Sequence, residues 1–307
     1  MVKILYLHIG THKTGSTAIQ QYLANNFTLL EKNNLTCPKI GYVKNYPYGN
    51  HGIAWQISGD PRLKFENYNN NLEDFYKFLE KSNKNLVISS EDFQFFNIKE
   101  NSYEEFCIKV KKFDYKIKVI LYLRNQLDFF RGIYQILLML GVMFVNYNQA
   151  FEIIQQSQNK LELKENKLTI FFDYFDLIEN IKQKLSISNK DIICKSYDEN
   201  KENLIKSFNQ IIGIKQEVEV NKYINIGLPQ LAIELLETLN KNFHESKIDL
   251  KSAAIARRNI LNNKTFMLGR KFQISDKKVK DFFKNEFWQS NNKIEKLYNL
   301  EINKFLI

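Results

Sequence analysis

Three cysteines, four prolines and eleven glycines are all that this 307-residue chain holds of those types, and each scarcity excludes something. Cys37, Cys107 and Cys194 stand apart with no C-x-x-C spacing, so neither a metal site nor a disulfide framework is indicated. A reducing cytoplasm is the expected compartment. With so little Pro and Gly there is no linker of the flexible kind, and no internal repeat is visible, so one continuous domain over 1–307 is expected. Long apolar runs are also missing. The strongest, "ILLMLGVMFV" at 136–145, is about half the ~20 residues that cross a bilayer and predicts a buried helix, with a lipid- or partner-facing surface as the alternative. The opening "MVKILYLHIG" has no small-residue cleavage site and reads as a first strand, not a signal peptide.

What is present is ample core material: 44% of the residues are hydrophobic and 14% aromatic. A formal charge of +10 favours anionic partners, although heavy use of Lys, Asn and Ile throughout can equally reflect base composition. The basic residues look dispersed through amphipathic helices, and nucleic acid is not an expected partner.

β-branched runs recur at 2–9, 85–90, 116–124, 167–172 and 190–197, each followed by helical spacing. The alternation predicts an α/β fold with a mostly parallel central sheet flanked by helices, occupying 1–198. From 199 to 307 apolar residues fall three and four apart, predicting a mainly helical part packed on that core, with Pro229 opening one helix and Gly213 stopping another. Residues 44–71 are turn-rich and predict an elaborated loop over a site.

The segment "HIGTHKTGSTAIQQYL", at 8–23, runs from the first strand through a glycine-bounded turn into a helix starting near Ser16, which offers backbone N–H groups and a positive helix end to an anion. Gly10 and Gly15 have the spacing of a Walker A loop, yet Ser16 stands where that loop has its lysine, and the one lysine is Lys13. Ser16 cannot neutralise a γ-phosphate. At the crown of the loop, Lys13 suits instead the bond joining a held phosphate to an outward group. Sulfuryl transfer from 3′-phosphoadenosine-5′-phosphosulfate has that form, since charge develops on the bridging oxygen and no metal is demanded.

"IGTHKTGSTAIQ" resembles the 5′-phosphosulfate loop of the sulfotransferase superfamily in its bacterial carbohydrate-type form, with a K-T-G-[ST]-[ST] core after the first strand. The resemblance implies a P-loop-type fold and cofactor contacts from Thr11, His12, Lys13, Thr14, Gly15, Ser16 and Thr17. In that family a later strand ends in an arginine, with a serine eight residues on and a tyrosine two beyond, and the arginine and serine bind the 3′-phosphate. "VILYLRNQLDFFRGIYQ" is similar, with Arg124 and Tyr134 in place but Gly132 at the serine position. Loss of that hydroxyl costs ~1–3 kcal/mol of cofactor binding, and Arg131 or Asn125 can compensate. Restoring serine is expected to tighten the site. "LVISSEDF", "CKSYDENKENLIKSFNQIIGI" and "FWQSNNKIEKLYN" resemble further family segments in the same order.

Transfer needs a base for the acceptor's proton. His51 is preferred among four histidines, on the turn-rich segment and on a family-like Asn-His pair. Glu91, at a strand's carboxyl end, can face the same crevice as base or orient His51, whereas Asp92 is expected to point elsewhere. His12, beside Lys13, can touch the acceptor or brace the loop; His8 is expected in the sheet packing and His244 in the helical third. The resemblance implies a sulfotransferase acting on a hydroxyl or amine of a glycan or glycolipid, with 3′,5′-adenosine bisphosphate as product. Alternatives are a P-loop kinase or NTPase, and a binding protein that keeps the fold without the activity.

Overall fold

The computed structural model describes residues 2–44, 47–65, 70–95, 101–163, 168–216, 227–246 and 249–305. The first half of the chain forms β1 (Lys3–His8), α1 (Ser16–Asn25), α2 (Phe27–Lys32), β2 (Leu35–Thr36), α3 (His51–Ser58), α4 (Asn71–Lys81), β3 (Asn85–Ser89), α5 (Ser102–Lys112), β4 (Tyr115–Leu123) and α6 (Gln126–Leu140). There follow α7 (Tyr147–Gln156), β5 (Lys160–Leu163), β6 (Leu168–Phe171), α8 (Tyr174–Leu185), β7 (Ile192–Ser196), α9 (Tyr197–Asn200) and α10 (Leu204–Ile212). The last third adds α11 (Gln230–Glu245), α12 (Leu250–Asn262), α13 (Lys277–Glu286) and α14 (Trp288–Tyr298).

Five strands form one parallel sheet in the order β2-β3-β1-β4-β7, with Leu5 opposite both Leu86 and Ile117. Strand side chains alternate between faces, so the near-continuous apolar runs serve two cores at once. Leu5, Leu7, Ile88, Val119 and Leu121 enter one apolar cluster, while Tyr6, Val87, Ile120 and Tyr122 enter the other. The second cluster is closed by Ile19 and Leu23 of α1 and by Leu204 and Phe208 of α10. The first continues through α6 and α8 to Phe283 of α13 and Ile294 of α14, so one apolar core joins the sheet to the helical last third. The expected mostly parallel α/β sheet flanked by helices is thus present.

Two details differ from expectation. The run at 167–172 does not join the sheet: β6 pairs antiparallel with β5 in a separate hairpin, Leu161 facing Ile170. A four-residue apolar strand carries no mark of its partner, which tertiary packing decides. Within 44–71, residues 51–58 form helix α3, buried on nearly every side, instead of a loop. Gly213 does end α10 in a left-handed conformation, at φ 83°, and Pro229 stands just before α11. "ILLMLGVMFV" ends helix α6 at Leu140, whose own side chain is exposed, and Gly141 caps it.

Candidate functional site

The carboxyl ends of β1, β3 and β4 converge at one edge of the sheet, where parallel α/β folds place ligands. From β1 the chain turns through Gly10 at φ 50° and Gly15 at φ 78° into α1. Neither glycine can be replaced cheaply. A Cβ on Gly10 would lie 2.6 Å from Ser16 Oγ, and one on Gly15 would overlap Leu204 Cδ2. Between them Lys13 also takes a positive φ, 65°, a conformation that costs a non-glycine residue energy and is held by its surroundings. Those surroundings are internal bonds: Thr11 Oγ1 donates to the Tyr122 carbonyl at 3.0 Å, and Thr14 Oγ1 donates to the Thr11 carbonyl at 2.6 Å. Both threonine hydroxyls are spent within the fold, leaving the loop's backbone N–H groups for an anion. Thr17 is exposed on α1.

Several polar atoms around the loop are buried and lack partners among the described residues: Ser16 Oγ, His8 Nε2 and Arg124 Nε. Leaving such groups unsatisfied is costly, and two of them, Ser16 Oγ and His8 Nε2, border the same space beside Gly10. His8 Nδ1 lies 2.7 Å from Ser89 Oγ, and burial holds the imidazole pKa down at about 4, so the ring is neutral at pH 7.

Lys13 is half-buried. Burial lowers its pKa and the Arg124 guanidinium adds to that, while the Glu91 carboxylate opposes both. Its stem lies against α6 at the one place where that helix has no side chain. A Cβ on Gly132 would stand 2.8 Å from Lys13 Cγ and 3.1 Å from Lys13 Cβ. Gly132 is therefore the slot that Lys13 occupies. A serine side chain there would crowd the Lys13 stem.

Arg124 directly follows β4, and its carbonyl accepts a 2.6 Å hydrogen bond from Tyr174 Oη. Its NH1 donates to the Lys13 carbonyl at 3.3 Å, and its NH2 lies 3.3 Å from Asp128 Oδ2. Arg131, one helical turn on, puts its NH2 2.6 Å from Asp128 Oδ1 and donates to Gln273 Oε1. Two guanidiniums thus share one carboxylate beside the loop.

Glu91 and Asp92 open a short 3-10 turn after β3, capped by Ser90 Oγ. Glu91 is half-buried, and Gln20 Nε2 donates to its Oε2 at 2.8 Å. Its negative charge acts on Lys13, His12 and His51 alike. Asp92 does not point elsewhere, as expected from its neighbour's direction, because the 3-10 turn breaks strand alternation. It is buried at the centre of a cluster: Trp55 Nε1 donates to Oδ2 at 2.6 Å, His51 Nδ1 is 3.2 Å from Oδ2, and Arg62 NH2 is 3.0 Å from Oδ1. The Arg62 guanidinium is also gripped by Asp60 and sits 4.7 Å above the Trp55 ring. Burial resists ionisation of Asp92, but Arg62, His51 and His12 outweigh it and hold its pKa well below the usual carboxylate range.

The histidines divide accordingly. His51 is 3% exposed, its Nδ1 lying between Ser90 Oγ at 2.9 Å and Asp92, so Asp92 helps to orient it. Burial disfavours its charged form, yet the Asp92 hydrogen bond and the Glu91 and Asp92 charges prevail and raise its pKa. His12 is only partly covered, with Nε2 4.0 Å from Asp92 Oδ1, and burial lowers its pKa against the pull of Glu91 and Asp92. His8 stands in the sheet packing as expected, edge-on to Phe208, and His244 stacks on Phe144 far along the chain. Loop spacing pointed to Lys13, and strand ends to Arg124, with the sequence resemblance, and to Glu91; the Asp92–Arg62–Trp55 cluster was missed because its members come from three separated segments with no shared pattern.

Over its full length the chain superimposes on the crystal structure of a sulfotransferase from Alicyclobacillus acidocaldarius, with a TM-score of 0.54, 9% identity and 99% of each chain covered. The two chains share a fold. No protein-family model and no curated protein sequence matches the chain. Among the described residues, no three His, Cys, Asp or Glu side chains converge as a metal site, and no helix is long and apolar enough to cross a membrane. A cavity of about 710 Å³ lies away from the loop, at the β2 edge between Phe27, Cys37, Ile40 and Phe78, and includes none of the residues above.

Proposed function

We propose that this chain is a sulfotransferase taking the sulfuryl group of 3′-phosphoadenosine-5′-phosphosulfate to a hydroxyl or amine of a glycan or glycolipid, and releasing 3′,5′-adenosine bisphosphate. The observation that carries the reading is the junction of Lys13 with Arg124: a lysine at the crown of an anion-binding loop, its carbonyl hydrogen-bonded by the arginine that ends β4. The bound cofactor supplies an activated sulfuryl group. The loop from Thr11 to Thr17 offers its N–H groups and the start of α1 to the 5′-phosphate, and the orphaned Ser16 Oγ and Arg124 Nε fit a phosphorylated ligand. Gly132 contributes space and no bond. Arg131 takes over the missing serine's part at the 3′-phosphate, next to Arg124.

Lys13 stabilises the charge that develops on the leaving phosphate oxygen. Glu91 is the base: it is anchored through one oxygen by Gln20, and it lies close enough to Lys13 and His12 to act on both charges. His51 holds Asp92, and Asp92 holds Arg62, so the floor beneath His12 is fixed. Lys13 balances the transfer without a divalent ion. Three buried, unpaired cysteines suit a reducing cytoplasm.

Calorimetry against 3′,5′-adenosine bisphosphate and against Mg-ATP tests the reading. Tighter binding of the bisphosphate is expected, with Arg124→Gln and Arg131→Gln each losing discrimination against 5′-AMP. Tighter binding of Mg-ATP overturns it in favour of a kinase or NTPase. Bisphosphate binding with no sulfate transfer to any acceptor panel would leave a binding protein.

A further inference from the structure

Residues 250–284, comprising α12, the turn after it and α13, contain ten Lys or Arg and two Asp, so this stretch carries a net +8 of the chain's +10. The basic residues are thus concentrated, not dispersed; they escape a motif search because they come singly and in pairs such as Arg257-Arg258, Arg270-Lys271 and Lys277-Lys278. Nine of the ten are exposed, Arg257 being the exception. Among the described residues, none of them forms an ion pair with a carboxylate.

The same stretch exposes apolar side chains that a purely charged surface has no use for. Leu250 is 84% exposed, Leu268 69% and Ile255 52%. Helix α12 is fastened from behind: Ala253 is buried, Ile260 and Leu261 pack on the main core, and Arg257 NH1 donates to Asn240 Oδ1 at 3.3 Å. Its guanidinium fills the space beside Gly141, where α6 ends in the exposed Met139 and Leu140. The outer side of α12 therefore presents Lys251, Ile255 and Arg258 to solvent, and Leu250 at its start, Leu268 beyond its end and Leu140 of α6 are exposed as well.

We propose that this face docks on the surface of an anionic lipid bilayer, the cations meeting headgroups while Leu250, Ile255 and Leu268 enter the headgroup–acyl boundary. Apolar side chains rimmed by Lys and Arg on a helix that cannot span are the pattern of interfacial binding, and the charge complementarity selects an acidic leaflet. A soluble polyanion would account for the cations alone. The proposal stands independently of the transfer reaction. Helix α12 joins the fold through α11 and beside the end of α6.

The test is cosedimentation of the full chain with vesicles of phosphatidylcholine alone and of phosphatidylcholine with phosphatidylglycerol. Binding about tenfold tighter to the anionic vesicles is expected, released at ~0.5 M salt. The solvent-facing triple variant Leu250→Ser, Ile255→Ser, Leu268→Ser and the variant Lys251→Gln, Arg258→Gln, Lys264→Gln, Lys271→Gln should each weaken it about tenfold, with circular dichroism unchanged. No preference for anionic vesicles overturns the proposal. So does a serine variant that binds them like the parent, which would assign the charge to a soluble acidic polymer.

Discussion

Gly132 and Lys13 occupy one space: the helix residue has no side chain where the loop residue runs its stem, and a Cβ there would come within 2.8 Å of Lys13 Cγ. The first two carbons of a lysine at positive φ have no freedom to move aside. Gly132→Ser is therefore expected to destabilise the fold by about 1–3 kcal/mol and to weaken binding of 3′,5′-adenosine bisphosphate. Urea denaturation and calorimetry check the two effects, and tighter binding by the serine variant would show that Lys13 is not confined by α6.

Lys13→Ala separates function from folding. A half-buried ammonium with no ion pair among the described residues adds little to stability, so unfolding should change by less than about 1 kcal/mol. Affinity for the bisphosphate should fall about 10- to 100-fold with the loss of a charged contact. Equal affinities in calorimetry would remove Lys13 from the site.

Asp92→Asn should cost about 1–3 kcal/mol in urea denaturation, because the buried carboxylate joins Trp55, His51 and Arg62, while Arg62 keeps Asp60 as a charged partner. Asp92 is also what keeps the His51 pKa up. Ring-proton NMR of the variant should show His51 titrating at lower pH than in the parent. An unchanged titration would mean that Glu91 alone sets it.

Acid should weaken the fold through His8. Its folded pKa, about 4, lies below the ordinary 6.5, so as pH falls the unfolded chain takes up the proton first. Stability is then fully present above about pH 6.5, declines down to about 4 and levels off below, the loss reaching about 2 kcal/mol by pH 5. His12, also lowered, adds in the same direction. In His8→Gln the slope of unfolding free energy between pH 7 and 5 should be visibly flatter; an unaltered slope would acquit His8.

The parallel sheet was legible because its strands are buried on both faces, which writes them as apolar runs such as "VKILYLHI" and "KIKVILYLR". The glycine loop was legible because positive φ and close approach demand particular residues at fixed places. Strand β2 was not: two residues, Leu35 and Thr36, leave no period to read. Nor was the company of Asp92, since Trp55, Arg62 and His51 meet it only after α3 folds against the turn that follows β3. The role of Gly132 was hidden for a related reason. A missing side chain in a sequence reads as a loss, and only the neighbouring stem shows it as accommodation.

The wall of the anion loop opposite Gly15 is Leu204, with Tyr197 behind it, nearly two hundred positions later in the chain. A ribosome finishes the loop early and its backing late. Until α10 has emerged and folded onto α1, the growing polypeptide lacks the side chains that pack against Gly15, so a fragment ending before that helix is expected to leave the turn unsupported and to fail the calorimetric test of the proposed nucleotide site.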